Sequence, residues 1–327
     1  MDHQLAQEVI ACLPYERNVF YYYRDRYSIG LLRYLSRNAK QGLSIAELKK
    51  SNYAALLQKP RVRTVMANFG KPPLFEEDWF YHDYDEQQEA FVLTLGLWGD
   101  EEGSSRNSRR WQQTSRSGCN LVLQMNFSGE HDAQYAKLKA DYDTFGCWGH
   151  PVSKKRNTLA WARIDLDFAS DTALIEEIQN DWLREVIYLE KAVSRKLKAG
   201  VALESQTDLW DVNCSLKVAQ QYCRFVLERY TTIWDEAMLW AAINFLREEI
   251  GIKHIFYHSV DSGRLLKRIG GSLPPHSLYT DLPRRFCFAP TQEVPEFLYK
   301  ESRFHRVAKA YKNLSFFKLP ELQMGCC

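Results

Sequence analysis

Two neighbouring segments limit the fold of this chain more than any other feature. They are residues 159–168 (LAWARIDLDF) and 173–181 (ALIEEIQND), joined by a link of a few residues. Both follow the two-residue side-chain period of a β-strand. A link this short cannot hold the crossover that parallel neighbours need, so the pair must be antiparallel. In the first strand Ala160, Ala162, Ile164, Leu166 and Phe168 share one face, and Leu159, Trp161, Arg163, Asp165 and Asp167 share the other. In the second, Ile175, Glu177, Gln179 and Asp181 face one way and Leu174, Glu176, Ile178 and Asn180 the other. A hairpin folded about residues 169–171 brings Arg163 near Glu177 or Gln179. A guanidinium beside a carboxylate in a sheet forms a charge-assisted hydrogen-bonded pair. Such a pair is either a structural tie or the wall of a polar site.

The rest of the chain supplies helices and more strands. Residues 1–13 read as a short helix ending before Pro14, and residues 18–36 as an aromatic strand followed by a helix. Ser44 and Glu47 have the spacing of a capping box for a helix expected to run to Pro60. Residues 71–90 are acidic and aromatic and read as a surface excursion. EAFVLTLGLWG and LVLQMNF read as strands, and the Gly/Ser-rich residues 100–110 as a flexible loop. After Trp182 come three helical stretches, the last of them apolar on most faces, as expected of a helix buried against a sheet. KHIFYHS is then expected as a strand, SGRLLKRI as a helix, LPRRFCFAP as a strand, and residues 292–322 as a helical tail opened by Pro295. The order predicts an α+β fold: a mixed, mainly antiparallel sheet flanked by helices. An N-terminal α+β extension is expected over 1–117 and the core over 118–327, with its C-terminal helical tail.

Two resemblances follow from these residues. The meander, buried helix, strand, helix and final strand of the second half resemble the GNAT (N-acetyltransferase-like) fold, most clearly in AAINFLREEIGIKHIFYHSVDSGRLLKRI. That resemblance implies an acyltransferase using acetyl-coenzyme A. Its pyrophosphate-binding glycine loop would fall near ERYTTIWDEA, where this chain has no glycine. The second resemblance is to an EEIQSDW-containing domain of phage and mobile-element polyvalent proteins. It rests on His150, Asn157, Leu159, Ala160 and Arg163, on Glu176, Glu177, Ile178, Gln179, Asp181 and Trp182, and on Trp234. Asn180 replaces the usual Ser and Pro151 the usual Trp. This resemblance covers about residues 118–290 and implies a mobile-element or host-conflict setting, without supplying a reaction.

Together these readings nominate Glu177, Asp181 and His150 as catalytic groups and Arg163, Gln179, Asn157 and Trp182 as substrate-binding groups. Glu177 or Asp181 would act as general base and His150 would shuttle a proton. Other features nominate less. Cys147 and His150 have half of a zinc-site spacing with no second half, so no metal is expected. His254 and His258 share a strand face at about 13 Å, too far apart to chelate one ion. Arg284 and Arg285 could hold a phosphate. The 327 residues carry a net charge of +2, which does not demand nucleic acid as a partner. No apolar run reaches the ~20 residues of a membrane span, and the start lacks a signal-peptide pattern, so a cytoplasmic protein is expected. Eight scattered cysteines fit buried thiols, and the Cys326–Cys327 pair fits an exposed tail. Three functions fit these residues: a GNAT-like transferase, a non-catalytic protein binding a host protein or nucleic acid through 71–90 and 100–110, and an ADP-ribosyltransferase-like enzyme built on Glu177 and Gln179.

Overall fold

The computed structural model describes residues 1–13, 18–69, 73–99, 112–140, 144–146, 149–207, 209–271 and 273–321. The loop expected at 100–110, Cys147 and the terminal cysteine pair lie outside them.

An eight-stranded sheet organises the chain. Its strands are β1 (Asn18–Tyr22), β2 (Glu89–Gly99), β3 (Cys119–Asn126), β4 (Thr158–Asp167), β5 (Thr172–Gln179), β8 (His254–His258), β9 (Ala289–Thr291) and β10 (Phe316–Lys318). β6 (Gln206–Thr207) and β7 (Cys214–Ser215) form a separate ribbon. The order across the sheet is β1-β2-β3-β4-β5-β8-β10-β9. β1 to β5 form an antiparallel meander. β5 and β8 are parallel, with a helical crossover between them, and the remaining pairs are antiparallel. The fold is α+β, a mainly antiparallel mixed sheet flanked by helices. The boundary expected at 117/118 falls between β2 and β3, which pair over eight residues of one sheet.

The helices are α1 (His3–Cys12), α2 (Arg26–Asn38), α3 (Ile45–Lys50), α4 (Pro60–Asn68), α5 (Glu76–Phe80), α6 (Gly129–Tyr135), α7 (Trp182–Lys198), α8 (Leu216–Tyr230), α9 (Trp234–Asn244), α10 (Val260–Leu266), α11 (Leu282–Arg285) and α12 (Ser302–Ala310). The larger core lies on the sheet face that carries Ala160, Ala162, Ile164 and Ile175, and takes in α2, α7, α8 and α9. The smaller core lies on the other face, where Leu174 and Phe256 meet Leu266, Phe297, Phe304 and Phe316. α9 is buried on nearly every side, which its apolar sequence requires.

Several expected boundaries shift for local reasons. Ser44 caps α3, but α3 ends at Lys50, and Pro60 opens α4 instead of ending the earlier helix. Proline suits the first helical position because its missing N–H would be unpaired there anyway. Residues 73–80 are not a free excursion: Trp79 is buried and donates to Ser36. Pro283 likewise opens α11, so the strand expected over LPRRFCFAP shrinks to Ala289–Thr291. The tail is helical only over α12 and a short 3-10 turn. It then returns as β10 between β8 and β9.

Gly30 in α2 lets Trp240 of α9 approach. A Cβ there would stand 2.1 Å from Trp240 Cζ2. Gly30→Ala is therefore expected to destabilise by about 1–3 kcal/mol through overpacking, although alanine is the better helix former by ~1 kcal/mol. Urea denaturation checks this; a gain in stability would mean that Trp240 can move aside freely.

Candidate functional site

The polar side chains of β4 and β5 divide into two clusters. The first is buried at the sheet centre. Arg163 stands opposite Glu177 in the β4–β5 register and grips it through both Nε and Nη2, each at 2.8 Å. The same guanidinium donates to the backbone carbonyls of Gln112 and Gln113 and lies over the Trp98 ring. Lys267 at the end of α10 uses three donors, to Glu177 Oε2 (2.7 Å), the Tyr279 hydroxyl (2.8 Å) and the Glu176 carbonyl (3.0 Å). Side-chain exposure is 1% for Arg163, 0% for Lys267 and 15% for Glu177.

A β-bulge changes the face expected for Glu176. Arg163 pairs with Glu177, while the next residue, Ile164, pairs with Ile175, so Glu176 is the extra residue. The inserted residue breaks strict alternation and turns both carboxylates to the same side of the sheet. There Glu176 accepts from the backbone N–H and the hydroxyl of Ser115 (3.0 and 2.8 Å) and from His258 Nε2 (3.1 Å). His258 Nδ1 sits 2.9 Å from the Ser262 hydroxyl. A neutral His258 that donates from Nε2 and accepts at Nδ1 satisfies every one of these contacts.

Burial by itself would raise both glutamates. For Glu176 the hydrogen bond and charge at His258, with Lys267 and Arg163, outweigh burial and hold the carboxyl at about 2. For Glu177 the charges of Arg163 and Lys267 hold it well below the usual carboxylate range. Burial pushes His258 below its ordinary value, so at pH 7 it is neutral and donates to Glu176 from Nε2, and its charge bears on Glu176 only at lower pH. A lowered carboxylate stabilises the fold above its unfolded value of 4.5 and loses that contribution as pH falls toward about 2. A histidine buried neutral adds a loss that begins as pH falls through 6.5. Stability is therefore expected to decline steadily below pH 6.5, and Glu176→Gln should flatten the decline below pH 4.5. Chemical denaturation at stepped pH checks this, and a flat wild-type profile would contradict the charge assignment.

Saturated in this way, Glu177 is a structural tie, not the general base expected of it, and Arg163 is its partner and not a substrate-binding group. Asp165 and Asp167 are also engaged. Asp165 receives Arg116 at 2.7 and 2.8 Å, and Asp167 accepts from Ser170 across the hairpin turn.

The second cluster sits where β5 runs into α7. His150 Nδ1 lies 2.5 Å from Asp181 Oδ2, and Arg184 Nη2 lies 2.8 Å from Asp181 Oδ1. Asp181 is 4% exposed and His150 30%. Asn180 caps α7 by accepting from the Leu183 N–H, which fixes the turn that presents Asp181. The imidazole lies 5.3 Å from the Trp161 ring, and Trp161 faces Gln179 in the strand register. The buried Trp161 Nε1 has no hydrogen-bond partner among the described residues. Among the described residues His150 Nε2 has no partner. A carboxylate that fixes one imidazole nitrogen and leaves the other free is the arrangement that general-base chemistry needs.

Two nominated residues lie elsewhere. Asn157 donates to Asp132 at 2.7 Å and ties the start of β4 to α6. Trp182 belongs to the core: it donates to the Tyr222 hydroxyl (2.8 Å) and packs edge-on against Phe127 and Tyr135. Of the nominated residues the structure brings His150 to Asp181 and sets Gln179 opposite Trp161 in the strand register, while Asn157, Trp182 and Glu177 have other partners. It missed Lys267, Tyr279 and Ser115. A lysine and a tyrosine carry no sequence mark of full burial, since both are usually at least partly exposed.

Neither alternative ligand gains support from these residues. The first turn of α9, near which the coenzyme A pyrophosphate would lie, carries Asp235 and Glu236, whose charge repels an anion at the helix start. Arg285 is engaged by both, at 3.5 and 3.0 Å, and Arg284 lies over Phe317, so this arginine pair is not an open phosphate site. Among the described residues no cluster of His, Cys, Asp and Glu could hold a metal ion, and no helix is long and apolar enough to cross a membrane. No protein-family model, curated protein or solved structure matches the chain.

Proposed function

We propose that the chain is a transferase-type enzyme, related in strand order to the GNAT-like fold, that deprotonates an amine or hydroxyl acceptor with His150. The observation that carries this reading is His150 Nδ1 held at 2.5 Å by the buried Asp181, with the imidazole partly exposed. Asp181 positions the ring, Trp161 stands beside it with Gln179 opposite Trp161 in the register, and the Arg163–Glu177–Lys267 network holds the sheet rigid behind it. The strand order adds support: an antiparallel meander, a parallel partner for its last strand, and a closing pair inserted at the edge. The acidic start of α9 does not fit a coenzyme A pyrophosphate, so the donor is left to experiment and no step is routed through it. The mobile-element setting rests on the sequence resemblance alone, whose most specific part is the EEIQNDW string. Glu177, committed to Arg163 and Lys267, does not offer the chemistry of an ADP-ribosyltransferase.

A thermal-shift panel of acetyl-coenzyme A, NAD and nucleotides identifies the donor class; a ligand at 100 times its Kd adds about 2.7 kcal/mol. With that donor, His150→Ala is expected to lower kcat by roughly 10²–10⁴-fold, the usual range for a general base. Unchanged turnover in that variant would remove His150 from the chemistry. One observation favours a binding role instead: Phe80, Tyr81 and Tyr84, at 58%, 83% and 62% exposure, present aromatic side chains to solvent in the segment 73–85. If no donor class shifts the melting temperature and a Phe80/Tyr81/Tyr84 alanine variant loses a host-protein contact, the binding reading prevails.

A further inference from the structure

α10 and α12 pack side by side over the smaller core, and their outer surface concentrates positive charge. Residues 299–312 hold five cations, Lys300, Arg303, Arg306, Lys309 and Lys312, against one carboxylate, Glu301. That is a net charge of +4 in a chain whose total is +2. Arg264 on α10 and Arg268 just past its end add two more. Lys300, Arg306, Lys309, Lys312, Arg264 and Arg268 are all exposed. Among the described residues none of these six has a carboxylate oxygen within 4.0 Å. Arginines elsewhere on the surface do have partners: Arg26 pairs with Asp83, Arg33 with Glu76 and Arg61 with Asp85.

The fold holds these cations together. α12 turns Phe304, with Val307 and Ala308 beside it, into the smaller core. Arg303, Arg306 and Lys309 recur every third residue and so line one side of the helix. Arg303 Nη1 donates to the carbonyl of Leu266, the last residue of α10, at 2.8 Å, and to that of Thr114 at 2.7 Å. Burial, with the like charges of Arg268 and Arg306 near it, lowers the Arg303 guanidinium from its ordinary value. Arg268 itself sits in the left-handed region, at φ 56°, where a helix end favours glycine. Like charges at helical spacing destabilise the helix that carries them. A surface that keeps them unpaired has its anion to come from outside.

We propose that the α10–α12 surface binds a single strand of nucleic acid. Its phosphates lie along Arg268, Arg306, Lys309 and Lys312, and a base stacks on Tyr311. Tyr299 and Tyr311, each 53% exposed, flank α12 at its two ends. Cations that track a backbone and exposed rings that take bases are the two parts of single-strand recognition. An anionic bilayer would need an apolar helix face free to enter it, and that of α12 is committed to the core. The proposal stands independently of the chemistry at His150.

The test is fluorescence anisotropy of the whole chain with labelled oligo(U) and oligo(dT), in a series of salt concentrations. A duplex of the same length, polyglutamate and phosphatidylserine vesicles serve as competitors. The wild type is expected to bind the single strands, and the tighter of the two tells RNA from DNA. The logarithm of affinity should fall against that of salt with a slope of about −3, at about −0.7 for each of four phosphate contacts. The triple variant Arg306→Gln, Lys309→Gln, Lys312→Gln should bind at least about 10-fold more weakly at low salt, with a slope shallower by about 2. Its melting temperature should be unchanged or raised, because repelling charges have been removed. Tyr311→Ala should weaken binding roughly fivefold or more with the slope unchanged, as loss of a stacked base does. Lys49→Gln with Lys50→Gln, which removes exposed charge from α3, should bind as the wild type does. Each of these results would overturn the proposal: no salt-dependent binding of either strand, full binding by the triple variant or by Tyr311→Ala, an equal loss in the Lys49/Lys50 variant, or a competitor bound as tightly as the single strands.

Discussion

Replacing Arg163 with leucine is expected to cost roughly 3–5 kcal/mol, the penalty for removing one partner of a buried ion pair. A large share of a single domain's stability would go with it, since the whole is only about 5–15 kcal/mol. The size follows from what is left behind. Glu177 loses a hydrogen bond and an ion-pair contact, each of 2.8 Å, and among the described residues keeps Lys267; the carbonyls of Gln112 and Gln113 each lose a donor, although Gln112 keeps Trp98 Nε1. Leucine matches none of these groups, and the site is too buried for bulk water to replace them. Urea denaturation reads the effect as a shift in midpoint. An unchanged midpoint would mean that Arg163 is hydrated and the network is not a structural tie.

The second large effect is expected at Lys267. Lys267→Met retains the chain's apolar length but removes three donors at once, from Glu177, from the Tyr279 hydroxyl and from the carbonyl of Glu176 at the bulge. Burial already lowers the lysine's affinity for its proton, and the charge of Glu177 works against that. Removing the ammonium should again cost roughly 3–5 kcal/mol. Because Arg163 and Lys267 share one carboxylate, their losses should not add: a double-mutant cycle should show a coupling of about 0.5–3 kcal/mol. Strict additivity would show that the two cations act separately and that Glu177 does not link them.

Much of the sheet was legible because pattern and pairing agree. The alternation of 159–168 and 173–181 is the β4–β5 hairpin and places Arg163 near Glu177 or Gln179, of which the strand register selects Glu177, and EAFVLTLGLWG is β2 over Glu89–Gly99. The bulge at Glu176 was not legible. It inserts a residue without altering composition, and it overturns the face assignment of one glutamate and not the next. Pro60 and Pro283 were read as helix and strand boundaries when they open helices, because proline ends one element and begins another with the same chemistry. β10 was hidden in SFFKL, too short to show a period, and its place between β8 and β9 is set by tertiary pairing alone. At the site, neighbours in sequence such as Trp182 and Asp181 part company at the start of α7. The indole turns into the aromatic core, while the carboxylate turns toward His150.

Differential scanning calorimetry of Glu177→Gln beside His150→Ala tests the division of the polar residues most directly. Glu177→Gln leaves two buried cations facing an amide and should melt far below the wild type, with no ligand restoring it. His150→Ala removes a partly exposed ring whose partner Asp181 keeps Arg184, and it should melt close to the wild type. A Glu177→Gln variant as stable as the wild type, or a His150→Ala variant that loses as much as Glu177→Gln, would contradict the assignment of a structural network at Arg163–Glu177–Lys267 and a working group at His150.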